Sequence, residues 1–225
     1  MSNRLPFEVG EWYHCFNRGI EKRDVFDNEY DANRFLMLLY LANGTEPISL
    51  FNTYKPDPKK SFSHERDEPI VSVGAFCLMP NHFHLLLREI VEGGISTFMR
   101  KVGVAYAMYF NAKNNRVGNL FLKPFRSRHI SSDEYFQRVL QYVHCNPAEL
   151  FEPGWKKGIV KNIKVLERKL IQYPYSSFSS YTGDHRRHPI LSSDGFEIAN
   201  QLPISKMLAE TKSYYAEIVS ETFER

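Results

Sequence analysis

Two neighbouring apolar runs set the tightest limit on how this chain can fold. Ile70 to Leu78 is β-branched and apolar, and His82 to Arg88 follows after Met79-Pro80-Asn81. Proline has no N–H to give to a sheet and asparagine favours a turn, so the break separates two strands or bends one sharply. In the second run, alternation puts His82 and His84 on one face and Phe83, Leu85 and Leu87 on the other. Two imidazoles on one face, about 7 Å apart along a strand, can converge on a single cation. A His-x-His pair on its own is more often structural than metal-binding, so further residues have to decide.

The rest of the chain builds helices around these strands. Trp12 to Asn17 reads as a short strand ended by the turn Asn17-Arg18-Gly19. Glu29 to Asn43 is a helix that stops at Asn43-Gly44. Thr45 to Glu68 is rich in Pro, Lys, Ser and Asp and reads as a surface loop or insertion. Gly94 to Asn111 carries apolar residues at a spacing of three and four, which marks an amphipathic helix. Leu120 to Ile130 is expected to be extended, and Ser131-Ser132-Asp133-Glu134 is a capping-box pattern opening a helix to about Cys145. Lys156 to Leu170 is expected to form another helix, and the tail from Asp194 is expected to be partly helical. The order β-α-β-β-α-β-α predicts an α+β fold with helices packed on an antiparallel sheet.

On the capped helix, Phe136, Val139, Leu140 and Val143 cluster at 100° per residue and define a buried face. Tyr142 and Asn146 fall roughly 120° and 80° from the centre of that face, one turn apart, so their side chains are neighbours. A phenol and a carboxamide side by side could address one metal-bound phosphate. Alone, the pair reads equally as a boundary aromatic and a helix terminus before Pro147.

Together these segments resemble a known family. Met79-Pro80-Asn81-His82-Phe83-His84-Leu85-Leu86-Leu87 and Gln141-Tyr142-Val143-His144-Cys145-Asn146-Pro147 resemble the single-tyrosine HUH transposases, above all the REP-associated tyrosine transposases and IS200-like enzymes. Tyr13 to Gly19, Phe125-Arg126-Ser127 and Tyr173 to Ser177 add to the match, in the family's order. The resemblance implies a ferredoxin-like sheet, with Tyr142 as nucleophile and His82, His84 and Asn146 as ligands of Mg²⁺ or Mn²⁺. It also implies action on single-stranded DNA near hairpins through a 5′-phosphotyrosine, with no need for ATP. The absence of a GxxxxGK phosphate loop agrees. Residues 1–185 would then be the catalytic domain, with an insertion loop near 45–69, and residues 186–225 a partly helical extension. The chain departs from the family at Pro124, Gln141 and Ala148-Glu149-Leu150, where relatives tend to carry basic residues.

The formal net charge of +3 allows a polyanionic partner without demanding one. Arg126 and Arg128, which directly precede the catalytic helix, are the first candidates for DNA contacts, followed by Lys123, Arg100 and Lys101. Phe121, Phe125 and Tyr135 are candidate stacking partners. Cys15, Cys77 and Cys145 are scattered, without a CxxC pair, which argues against a disulfide scaffold or a cysteine zinc site. No apolar run reaches the roughly 18 residues that span a bilayer, and no signal peptide is evident, so a cytoplasmic location is expected. Monomer and homodimer both remain open. Two rival readings stand beside the transposase: a catalytically silent DNA-hairpin binder, and a zinc hydrolase whose activity would survive loss of Tyr142.

Overall fold

The computed structural model describes residues 6–46, 62–63, 68–157, 159–182, 186–200 and 202–222. Most of the expected insertion near 45–69 lies outside them. Strands β1 (Trp12–Arg18), β2 (Val71–Met79), β3 (His82–Glu89) and β4 (Arg126–Ile130) form one four-stranded sheet in the order β2-β3-β1-β4. Each adjacent pair is antiparallel. Helix α1 (Glu29–Leu41) links β1 to β2, and α2 (Gly94–Lys113) links β3 to β4. This βαββαβ path with β1 and β3 in the centre is the ferredoxin-like arrangement.

Alternation along the strands separates two cores. Tyr13, Cys15, Phe83, Leu85 and Leu87 point to the layer of α1 and α2, with Phe35, Leu38, Phe98 and Tyr106. Trp12 and Leu86 point the other way, toward Phe136, Val139, Leu140 and Val143 of α3 (Asp133–Cys145). In β2 the register shifts between Val73 and Ala75. Val71 and Val73 therefore share a face with Phe76 and Leu78, while Ala75, Cys77 and Met79 face α3. Gly74 fits the shift because a Cβ there would lie 2.8 Å from the Trp12 ring.

Polar side chains fasten the helices to the sheet. The Asn43 amide oxygen accepts from the backbone N–H groups of Ile70 and Val71, both at 3.0 Å, joining the end of α1 to the start of β2. The Glu89 carboxylate, buried at the end of β3, accepts from Gly94 N at 3.1 Å and Ile95 N at 2.6 Å. It satisfies the first turn of α2 and complements the positive end of that helix.

Past α3 come α4 (Ala148–Phe151), α5 (Ile163–Ile171), α6 (Asp194–Ile198) and α7 (Ile204–Thr222). The expected helix from Lys156 is instead a short 3-10 turn, Trp155–Lys157, followed by α5. The helix begins late because Asn162 is extended and its side chain accepts from Val165 N, which makes it the N-cap. The expected extended run from Leu120 is a strand only from Arg126. Before it, Phe121 makes an isolated bridge to Gly19, and Pro124 brings no N–H to a ladder. Residues 173 to 181 run along the outer edge of β2, where Leu78 N donates to Tyr175 O at 2.8 Å and the Ser177 hydroxyl accepts from Phe76 N at 3.0 Å.

Candidate active site

The site lies on the sheet face that α3 covers. Across β1 and β3, Arg18 stands opposite His82, Phe16 opposite His84 and His14 opposite Leu86. On the far side of β1, Phe16 pairs with Arg126 and His14 with Arg128. Period-two alternation puts all these side chains on one face, so the sheet register brings the histidines, Arg18, Arg126 and Arg128 together from distant parts of the sequence.

The His82 and His84 rings are perpendicular, with centroids 5.1 Å apart. His82 Nδ1 lies 2.7 Å from the Asn81 amide oxygen, and the Asn81 Nδ2 donates to the Lys22 carbonyl at 3.1 Å. That second bond fixes the amide orientation, so His82 Nδ1 is the donor and its Nε2 carries the lone pair. The Asn146 side chain is within hydrogen-bonding reach of His82. Its own Nδ2 donates to the Tyr142 carbonyl at 3.1 Å, so Oδ1 is free of that bond. His84 is buried, its Nδ1 lies 2.9 Å from His14 Nε2, and its Nε2 is buried with no hydrogen-bond partner. A lone pair on His82 Nε2, the Asn146 amide oxygen and the orphaned His84 Nε2 make a donor set whose chemistry fits a divalent cation.

Charge at the site is positive apart from the imidazoles, which are neutral. Burial, then Arg18, lowers the pKa of His82 to about 4, although Asn146 opposes the shift and Lys156 adds to it. Burial, then His14 and His82, holds His84 well below the usual histidine range. Burial and Arg128 lower His14 to about 3. Neutral imidazole is the form that binds a metal. Among the described residues no group of three or more His, Cys, Asp or Glu side chains is arranged to hold a metal ion. The candidate set thus depends on the Asn146 amide and on oxygen from outside the protein.

Helix α3 delivers Tyr142 to this cluster. Ser132 caps the helix by accepting from Tyr135 N, one residue later than the capping-box pattern suggests. The Tyr142 ring meets His84 edge-on with centroids 5.2 Å apart and His14 at 5.7 Å. On its other side lies Tyr214 of α7 at 5.1 Å, whose hydroxyl is 3.3 Å from that of Tyr135. Tyr142 is only 3% exposed and Asn146 8%, more buried than their angular positions suggest. Between the sheet and α7, this helix has two covered sides, not one.

Of the candidate DNA contacts, Arg126 is exposed and Arg128 half-buried on the site's own face, and Lys123 is exposed just before β4. Arg100 and Lys101 lie on α2, in the layer beyond the sheet. There the Lys101 ammonium donates to the carbonyls of Gly44 at 2.5 Å and Glu46 at 2.6 Å. The structure brings His82, His84, Tyr142 and Asn146 together with Arg126 and Arg128, and does not bring Arg100 or Lys101 to them. It adds His14, Arg18, Asn81 and Tyr214. His14 shares a face with Trp12 and Phe16 by alternation, but only the β1–β3 register places it beside His84.

A family model described as "Transposase IS200 like" matches residues 12–146. No curated protein matches the chain. Among solved structures, the chain is similar to one described as "Structure of the REP associates tyrosine transposase bound to a REP hairpin". That match has 15% identity and a TM-score of 0.48, covering 90% of this chain and 98% of that one.

Proposed function

The chain belongs to the IS200-like transposase family, and on that premise we propose that it cuts and rejoins single-stranded DNA near hairpins with Tyr142 as nucleophile. The observation that carries the reading is the packing of the Tyr142 ring against the buried His84 and His14, next to the half-buried His82 and the buried Asn146.

In this reading His82, His84 and Asn146 hold Mg²⁺ or Mn²⁺. When bound, the cation would polarise the scissile phosphate and offset charge building on its oxygens. Arg18, Arg126 and Arg128 attract and orient the DNA backbone, and Arg126 and Arg128 on the edge strand give the strand a path to the site. The Tyr142 phenol loses its proton and its oxygen bonds to phosphorus as the bond from phosphorus to the 3′ oxygen breaks. The products are a 5′-phosphotyrosine and a 3′-hydroxyl, which takes up one proton. One phosphodiester replaces another, so a second 3′-hydroxyl can reverse the attack and join new strands. Residues 1–185 would carry this chemistry. The C-terminal residues 186–225 supply Tyr214 against Tyr142, so α7 has to shift for a DNA strand to reach the phenol.

The test is a denaturing gel of the protein mixed with labelled single-stranded hairpin DNA from its own gene's flanks, with Mn²⁺ or with EDTA. The reading expects a protein–DNA band that needs Mn²⁺ and is absent in Tyr142→Phe. Tight hairpin binding without any band would mark a silent binder. Cleavage that persists in Tyr142→Phe would mark a hydrolase and overturn the tyrosine mechanism.

A further inference from the structure

His14 has no part in the chemistry above, yet it is fully buried and touches the centre of the site. Its Nε2 lies 2.9 Å from His84 Nδ1, and the two rings lie at 29° with centroids 5.1 Å apart. Two atoms of the pair are buried without partners, His84 Nε2 and His14 Nδ1. A hydrogen bond between two neutral imidazoles carries one proton, so its direction fixes the tautomer of both rings.

The geometry points to His14 as the positioning residue for His84, holding it in the one tautomer that can bind a metal. For His84 Nε2 to offer its lone pair, the ring proton must sit on Nδ1 and be donated to His14 Nε2. His14 must then carry its own proton on Nδ1, the buried atom with no partner. In the reverse direction, His14 Nε2 donates, His84 Nε2 bears hydrogen, and the site loses a ligand. The proton count is the same in both forms, because each ring moves its single proton between its two nitrogens.

His82 supports the same logic from the other side of the site. Its Nδ1 donates to the Asn81 amide oxygen, which the Lys22 carbonyl holds in place. Both candidate ligands are thus held at their Nδ1 atoms, which leaves each Nε2 outside those bonds. Metal-binding histidines are commonly oriented in this way by a partner on the second nitrogen. What is unusual is that the partner of His84 is a neutral ring and not a carboxylate or carbonyl, so its role depends on its own tautomer.

This inference rests on the proposal that His84 is a metal ligand, and the experiment separates the two. Mn²⁺ binding to the full-length protein, without DNA, is measured from the electron paramagnetic resonance signal of the free ion. His14→Phe keeps a ring of similar size but removes the acceptor. His14→Gln places an amide oxygen near the Nε2 position. His14→Phe is expected to weaken Mn²⁺ binding roughly 10- to 100-fold, and His14→Gln by no more than about threefold. In protein loaded with Zn²⁺, ¹⁵N spectra are expected to show the His14 proton on Nδ1.

If His84→Ala loses Mn²⁺ but His14→Phe does not, the positioning role falls and the metal site stands. If His84→Ala binds as well as the parent, the metal site itself falls, and this role with it. Equal losses in His14→Phe and His14→Gln, or a His14 proton on Nε2 with Zn²⁺ bound, would reduce His14 to packing and overturn the inference.

Discussion

Burying neutral histidines makes this fold acid-sensitive, and the size of the effect can be worked out. His14, His84 and His144 are 0%, 1% and 2% exposed. Burial lowers His14 and His144 to about 3 and His84 well below the usual value of 6.5. Above pH 6.5 these groups are neutral in both folded and unfolded chains, and the folded state loses nothing. As pH falls below 6.5 the unfolded chain takes up protons that the native state refuses until its own lower pKa is reached, so stability drops across that window. At 1.36 kcal/mol per pH unit, His14 and His144 each remove about 2 kcal/mol by pH 5, about 4 kcal/mol together, and the lowered His82, His84 and His188 add to the loss. Typical domains have about 5–15 kcal/mol in total, so the protein should be close to unfolding at pH 5. Guanidinium titrations followed by tryptophan fluorescence at pH 7, 6 and 5 measure this directly. His144 bonds the Ser177 hydroxyl at 2.9 Å and takes no part in the proposed chemistry. His144→Gln should therefore remove about 2 kcal/mol of the loss between pH 7 and 5. A change below about 1 kcal/mol between pH 7 and 5, or an unchanged slope in His144→Gln, would refute the argument.

Three further outcomes follow from particular contacts. Gly74→Ala should destabilise the protein by about 1–3 kcal/mol in chemical denaturation, because the new Cβ would lie 2.8 Å from the Trp12 ring and 3.4 Å from Phe136. Arg128→Ala should weaken binding to single-stranded DNA of any sequence and lower the slope of log affinity against log salt by about 1 in fluorescence anisotropy. Arg100→Ala, on α2 beyond the sheet, should leave that slope unchanged. If the proposed two imidazoles and an amide are the donors, the free protein should bind Mn²⁺ more tightly than Mg²⁺ by calorimetry. Equal affinities would argue for a carboxylate ligand.

The main lines of the fold were readable in the sequence because period and turn chemistry are local. The Pro80-Asn81 break, the alternation through His82 to Leu87 and the spacing of Phe136, Val139, Leu140 and Val143 all predicted elements that form. Features that depend on pairing were not readable. The register shift at Gly74 has no signal in an unbroken apolar run, and it decides which residues of β2 face α3. Tyr142 and Asn146 look like boundary positions when one buried face is assumed, but α7 covers the helix from a second side. The cap at Asn162 outweighs helical propensity from Lys156 onward. Arg100 and Lys101 resemble Arg126 and Arg128 as charges, and only the layer order separates them. His14 lies in a segment that adds to the family resemblance, but its placement against His84 follows only from the β1–β3 register.

Three tyrosines meet at the site: Tyr135, Tyr142 and Tyr214. The central claim is that one of them, Tyr142, takes up DNA. Trapping the protein on single-stranded hairpin DNA with Mn²⁺, digesting both, and locating the residual nucleotide by tandem mass spectrometry tests this directly. The account predicts a phosphonucleotide on Tyr142, with its DNA attached through the 5′ phosphate. Nucleotide mass on Tyr135 or Tyr214, or cleaved DNA with no modified tyrosine, would contradict it.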